Sequence, residues 1–335
     1  MNDTMYPVAD IHQLVTRALV SHNSKSSNAA AVADALIAAE MDGQRGHGLS
    51  RLPSYCGQAA SGKVNGQAEP VATRVGGAAV RVDAGYGFAY PAMALAVDEL
   101  AELAPEMGIA VAALTNSHHC GAAGYHVEQL ANKGLVGLLF ANTPKAIAPW
   151  GGSKALFGTN PIACAVPRKD AEPMVIDLAL SKVARGKIMV ANKERSEIPE
   201  GWALDGEGKP TTDPAKALNG TMLPMGDAKG AALVLMVEIL AAALTGSNFG
   251  YEASSFFEAE GNPPKVGQLL LAIAPGPLSG EMFYARLDEL FAEILGQENT
   301  RLPGQRRLAL RRKAHEQGLL LSRAEYDQLL QLAGV

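Results

Sequence analysis

TNSHHCGAAGYH, Thr115–His126, follows the apolar run Ile109–Leu114 and precedes the helical spacing of Ala123–Lys133. A strand, a turn of small residues and a helix start leave backbone N–H groups free to hold an anion. Gly121 and Gly124 permit close backbone approach, and the adjacent His118 and His119 carry the side chain whose ordinary pKa lies nearest neutrality. Binding and proton chemistry can therefore meet in this turn. Cys120 reads either as a nucleophile or as a small residue filling a tight turn, and the crowding of small residues favours the second.

Upstream, residues 9–21 and 28–43 have the spacing of two amphipathic helices, with Ser26, Ser27 or Asn28 available to cap the second and Gly43 to end it. In the next segment, QRGHGLSRLPSYCGQ, His47 and Arg51 share one face if the chain turns into a helix. That pairing suits a carboxylate substrate that also needs a proton. A solvated helix start capped by Ser50 explains it equally well, and the spacing leaves both readings open. Val71–Val75 and Ala79–Val82 form a strand pair around Gly76-Gly77, followed by a helix over Pro91–Met107. Gly85 and Gly87 imitate a dinucleotide fingerprint, but Tyr90 stands where the third glycine belongs and no acidic residue ends a strand about 20 positions on, so a Rossmann unit is rejected.

Downstream, strand Val136–Ala141 leads into irregular chain containing Gly158-Thr159-Asn160-Pro161. Irregular backbone of this length is costly unless it lines a site. Strand Met174–Leu178 carries Asp177 at its end, ahead of Lys182, Arg185 and Lys187; the carboxylate suits a histidine, a ribose hydroxyl or a helix cap. Residues 196–220 have neither helical nor strand periodicity and read as a lid or binding loop. The helix expected over 228–244 is apolar enough to be wholly buried, and Lys229 in its first turn opposes the helix dipole unless an anion sits there. Residues 267–275 form a last strand and Glu281–Leu295 an amphipathic helix. Arg306 and Arg307 then suit a phosphate or a solvated cationic face, and Ser322–Leu332 reads as a capped closing helix.

Composition narrows the class. The 335 residues, 48% apolar and 19% charged, are those of a globular protein long enough for two domains, and a net charge of −5 offers no broad basic face to nucleic acid. No apolar run approaches ~18 residues and the N-terminus lacks a signal-peptide pattern, so a cytoplasmic protein without a membrane span is expected. Cys56, Cys120 and Cys164 form no CxxC pair, and neither they nor His118, His119 and His126 have metal-ligand spacing.

Six stretches in order resemble one family: HGLSRLPSY at 47–55, SHHCGAAGYH at 117–126, FGTNPIA at 157–163, VIDLALSKVARGK at 175–187, LPMGDAKGAALVLMVEIL at 223–240 and RLPGQRR at 301–307. The family is that of the malate/L-lactate dehydrogenase-like NAD(P)-dependent oxidoreductases, which is separate from the Rossmann lactate and malate dehydrogenases. The resemblance covers almost the whole chain. It implies an α/β fold with a largely antiparallel central sheet flanked by helices, the N- and C-terminal helices packed together, and a homodimer. It also implies a helical, substrate and dimerisation domain from residues 1–115 with 270–335, and an NAD(P)-binding domain from 116–269.

Carried over residue by residue, the resemblance makes His47 the acid/base, has Arg51 bind or protonate the substrate, and places Asp177 in the same relay. The family often has a serine before its histidine; that position is Gly46 here, which leaves Asp177 or water to orient His47. The expected cofactor contacts are His119, Cys120, Gly121, Ala122 and Ala123; Thr159 and Asn160; Lys182; Lys229 and Gly230; and Pro303, Gly304, Arg306 and Arg307. The cofactor is NAD or NADP, with NADPH slightly favoured, and no metal is expected. The implied reaction moves hydride between nicotinamide and a small 2-oxo or 2-hydroxy acid, or a cyclic 2-imino acid, for which the small residues after the histidine pair leave room. The alternative is a nucleotide-binding protein of this fold without redox activity. A hydrolase has little support, since Ser50 and Cys120 lack a nucleophile elbow.

Overall fold

The computed structural model describes residues 3–280 and 282–335. Along the chain the elements are β1 (Thr4–Tyr6), α1 (Val8–Ser21), α2 (Ser26–Met41), α3 (Leu52–Ser61), β2 (Val71–Gly76), β3 (Ala79–Asp83), α4 (Ala89–Met107), β4 (Ile109–Ser117), α5 (Ala123–Asn132), β5 (Val136–Ala141), β6 (Ile162–Val166) and β7 (Met174–Leu178). There follow α6 (Arg185–Glu194), β8 (Ala203–Leu204), α7 (Pro214–Asn219), β9 (Thr221–Met222), α8 (Asp227–Glu238), β10 (Val266–Ile273), α9 (Pro275–Ser279), α10 (Met282–Leu295), α11 (Gln305–Gln317), β11 (Leu319–Leu321) and α12 (Arg323–Ala333). Two 3-10 turns, Arg45–His47 and Leu49–Arg51, join α2 to α3, and a π-helical turn, Ile239–Ala243, extends α8.

The central sheet has seven strands in the order β2-β3-β4-β10-β5-β6-β7, antiparallel except for the β3–β4 pair. β10 reads as a nearly unbroken apolar run because it lies at the centre with both faces covered. The alanine-rich face of α4, Ala89, Ala92, Met93, Ala96, Val97 and Leu100, packs on this sheet. A separate helical core joins Ile11, Val15, Leu36, Leu52 and Tyr55 to Ala314 and Leu329 near the C-terminus, and β1 pairs with β11 to tie the chain ends. The N- and C-terminal helices α1 and α12 are therefore packed together. The boundary expected near residue 270 falls inside β10, which joins strands of both segments into one sheet.

Several local expectations need correction. The second helix starts at Ser26 with Lys25 at its cap position. Asn28 is buried instead and donates to the carbonyls of Gly66 and Ala68. Ser50 caps nothing; its hydroxyl bonds the Arg45 carbonyl. The segment 196–220 is not featureless, since Asp213 caps the short α7 and β8 pairs with β9, contacts too short-ranged to produce periodicity. Helix α8 is not wholly buried: Leu233 and Leu235 are 39% and 47% exposed, because apolar residues all round a helix exceed what one packing face covers. Glu281 lies outside the described residues. No helix among the described residues is long and apolar enough to cross a membrane.

Candidate active site

The two 3-10 turns set His47 and Arg51 at the mouth of α3. Arg51 Nε donates to the Gly46 carbonyl at 2.7 Å, and its guanidinium lies 4.5 Å from the centre of the Phe257 ring. Burial, with Arg51 adding to it, pushes the His47 pKa down to about 4, so the imidazole is neutral at pH 7. Nδ1 of His47 and Nη1 of Arg51 are both buried without a partner. A neutral base and a cation, each with an unspent nitrogen, fit an oxyanion and a proton-accepting or proton-donating atom on the same ligand.

His119, delivered by the turn after β4, stacks on His47 with ring centroids 5.4 Å apart. Its Nδ1 shares a 2.6 Å hydrogen bond with the Tyr55 hydroxyl, which lies 3.0 Å from that of Tyr90. When Tyr90 donates to Tyr55 and Tyr55 to Nδ1, Nε2 is the protonated nitrogen of a neutral His119. Burial holds His119 well below the ordinary histidine range and pushes Tyr55 up to about 12, which keeps this chain uncharged. His118 is enclosed by Tyr55, Phe88 and Phe256, and neither ring nitrogen has a partner. Cys120 is buried with its thiol raised to about 12 by that burial, so it fills the turn and is no nucleophile. Gly121, at φ +69°, allows the turn to pass the Tyr90 ring, and Ala122 and Ala123 are buried at the start of α5.

Asp177 does not reach His47 by any hydrogen bond. Its Oδ2 accepts the Gly124 N–H at 2.8 Å, in the first turn of α5, and burial raises its pKa. With no serine at 46, His47 is oriented by its stack on His119. The α5 N-terminus, expected to hold cofactor phosphate, already faces this carboxylate, whose charge opposes another anion there.

Asp177 lines a cleft of about 430 Å³ with Gly124, Arg301, Pro303, Gly304, Arg306 and Arg307. The departure from expectation is Arg307. With Arg311 it forms a buried four-charge cluster on Asp42 and Glu128, at 2.8 Å and 2.8 Å for Arg307 Nη1, so its charge is already paired and only its buried Nε lacks a partner. Arg301 and Arg306 make no ion pair among the described residues. Two unspent arginines, a carboxylate suited to a ribose hydroxyl and a glycine cradle at Gly304 fit a dinucleotide.

The remaining expected contacts gather elsewhere. The Thr159 carbonyl accepts Leu180 N–H, Lys182 N–H donates to Leu223, and Met225 N–H to Leu180, so Thr159, Lys182 and the start of α8 adjoin. Lys182 and Lys229 are exposed there. Asn160 is fully buried and cannot touch a cofactor as it stands: its amide donates to Glu238 at 2.7 Å and to the Val234 carbonyl. Gly230 is required by packing, because a Cβ there would run into the Met225 carbonyl. Sequence reasoning missed Tyr55, Tyr90, Phe256 and Phe257. Tyr55 was within reach, standing one helical turn beyond Arg51.

The family described as "Malate/L-lactate dehydrogenase" matches residues 6–330. The chain belongs to that family. It is 52% identical over 325 residues to a (2R)-3-sulfolactate dehydrogenase (NADP(+)) of Chromohalobacter salexigens, covering 97% of each chain. It is 41% identical to a Delta(1)-pyrroline-2-carboxylate/Delta(1)-piperideine-2-carboxylate reductase of Pseudomonas putida, covering 98% of this chain and 96% of that one. The crystal structure of delta1-piperideine-2-carboxylate reductase from Pseudomonas syringae pvar. tomato superposes with a TM-score of 0.94 at 39% identity, over 98% of this chain and 99% of that one. The protein is an NAD(P)-dependent oxidoreductase, and the resemblance drawn from the six motifs holds in fold and family. Among the described residues no group of three or more His, Cys, Asp or Glu is placed to hold a metal.

Proposed function

We propose that the enzyme interconverts a small 2-hydroxy acid and its 2-oxo acid with NADP(H), and that its substrate is of the 3-sulfolactate type. The observation that carries this is the pair of unspent nitrogens, His47 Nδ1 and Arg51 Nη1, on consecutive turns. The 52% identity to a sulfolactate dehydrogenase (NADP(+)) supports both substrate and cofactor.

The cleft residues would hold NADP(H), which when bound would supply the hydride chemistry of the reaction. Arg51 holds the substrate carboxylate, its guanidinium backed by Phe257. His47, neutral at pH 7, takes the hydroxyl proton in oxidation and returns it in reduction. Arg301 and Arg306 hold cofactor phosphate and Asp177 takes a ribose hydroxyl, while the exposed Lys182 and Lys229, which adjoin each other outside this cleft, supply positive charge to another part of the cofactor. Asn160, Gly230 and Arg307 act by shaping the site. Residues 116–269 hold most of the cofactor contacts in this reading, and 1–115 with 270–335 most of the substrate contacts. The exposed apolar side of α8 supports a homodimer, and three free cysteines fit a reducing cytoplasm.

The second reading, a cyclic imino acid reductase, is favoured by the TM-score of 0.94 to the piperideine-2-carboxylate reductase. Absorbance of the reduced cofactor tests both: the purified enzyme is assayed with NADP+ or NAD+ and 3-sulfolactate, malate or lactate, and with NADPH or NADH and pyrroline-2-carboxylate. Turnover of 3-sulfolactate with NADP+ above the others is expected. Turnover confined to pyrroline-2-carboxylate selects the second reading, and none with any of them rejects both.

A further inference from the structure

Residues 254–259 run past Arg51 and His119 as a strap that sets Phe257 and Phe256 against them. Its carbonyls are held by one helix and one lysine. Along one face of α3, Ser54 donates to the Phe257 carbonyl at 3.5 Å, Gln58 to Glu258 at 2.9 Å and Ser61 to Ala259 at 2.6 Å. These three residues fall at helical spacing, so a single face reads consecutive residues of the strap. Gly57 lies between them, and a Cβ added to it would stand 3.1 Å from that of Ala259, so its absence lets the strap sit down on the helix.

Lys63, just beyond α3, is 2% exposed. Its ammonium donates to the Ser255 carbonyl at 2.7 Å and the Glu258 carbonyl at 3.0 Å, bridging both ends of the turn. Burying a lysine is costly, and the compensation here is two charge-assisted hydrogen bonds. Between those two carbonyls stand Phe256 and Phe257. Phe256 points inward, its ring centroid 5.3 Å from that of His118 and 5.0 Å from that of His119, while Phe257 carries the Arg51 guanidinium. The two ends of the lysine bridge thus bracket the wall of the substrate pocket and the support of its cation.

We propose that Lys63 is a positioning residue: its ammonium fixes the 255–258 turn so that Phe257 holds Arg51 in place for the substrate carboxylate and Phe256 limits the space beside the histidines. It acts on the acid, not on the cofactor. The proposal rests on the reading of His47 and Arg51 as the substrate site.

The test is steady-state kinetics with the best substrate of the panel above. Lys63→Met keeps the stem and removes the bridge. Its KM for the acid rises by about tenfold or more while the KM for the cofactor stays within about twofold. The double variant Lys63→Met/Phe257→Leu is no worse than the poorer of the two single variants, because both act through one contact. Unchanged acid KM, an equal rise in both KM values, or additive losses overturn the proposal. If Lys63→Met does not fold, Ser61→Ala carries the test: this exposed change removes the hydroxyl that donates to the Ala259 and Gln58 carbonyls and accepts the Lys63 N–H, so it loosens both the lysine and the strap, and the acid KM rises by about threefold; an unchanged acid KM overturns the proposal. His47→Gln separates the two levels. Loss of turnover there with normal Lys63→Met kinetics sinks the strap alone, whereas full turnover in His47→Gln sinks the site reading.

Discussion

The imidazoles of His47 and His119 lie face to face, with ring centroids 5.4 Å apart and 21° between their planes, although they come from different layers of the fold. Tyr55 holds the edge of the His119 ring through Nδ1, so the ring on which His47 stacks is itself fixed. His47→Gln is expected to lose turnover by about 100-fold or more, the usual worth of a positioned acid/base, while still binding NADPH. Fluorescence titration of NADPH alongside initial rates checks this. Retained turnover would refute the role of His47.

Four buried histidines, His47, His118, His119 and His126, make stability depend on pH, because burial lowers all four. Burial lowers His47 to about 4, His118 to about 3 and His126 to about 4, all below the ordinary value of 6.5. As pH falls below 6.5 the unfolded chain takes up protons that the folded chain refuses, so stability drops until the pH passes the folded values and then levels. The unfolding midpoint is expected to fall by about 5 °C or more between pH 7 and pH 4.5. Thermal scans across that window check it, and a flat midpoint would contradict the buried, neutral state of these rings.

The cluster of Asp42, Glu128, Arg307 and Arg311 ties α2, α5 and α11 together with little solvent to screen it. Glu128→Gln leaves two arginines facing one carboxylate. The expected cost is about 3–5 kcal/mol, measured by urea unfolding, because an uncompensated buried charge remains. A loss below about 1 kcal/mol would place the cluster with ordinary surface pairs.

Gly121→Ala forces a Cβ to within 2.5 Å of the Tyr90 hydroxyl at a φ of +69°. Strain and displacement of Tyr90 together are expected to cost about 1–3 kcal/mol and to break the Tyr90–Tyr55–His119 chain. Gly46→Ser is the control: nothing lies within 4 Å of its Cβ, so stability should stay within about 0.5 kcal/mol. Equal losses in both variants would remove the special status of the turn.

His47 with Arg51, and the turn around His119, were legible because each is local: a helical spacing, and a strand ending in small residues before a helix. Phe256 and Phe257 were not legible. They stand in an aperiodic segment far along the chain from α3, and what places them is side-chain donation to backbone carbonyls, which leaves no pattern. Arg307 was visible as a cation, but Asp42 and Glu128 lie on other elements, and pairing across elements is invisible to spacing. Helix α8 misled for a related reason, since hydropathy reports what a surface avoids and not whether the same chain covers it.

The pairing of Thr4 with Leu321 sets an order of assembly during synthesis. β1 is made roughly 300 residues ahead of its partner β11, and β10, the middle of the sheet, arrives long after the β4 and β5 it separates. Every completed layer therefore requires long-range closure, which slows folding and leaves sheet edges open in the nascent chain. A chain released before Leu319 would lack Leu319, Leu321 and Leu329 from the core that α1, α2 and α3 share, so a truncated product is expected to leave that core open and to be prone to aggregate.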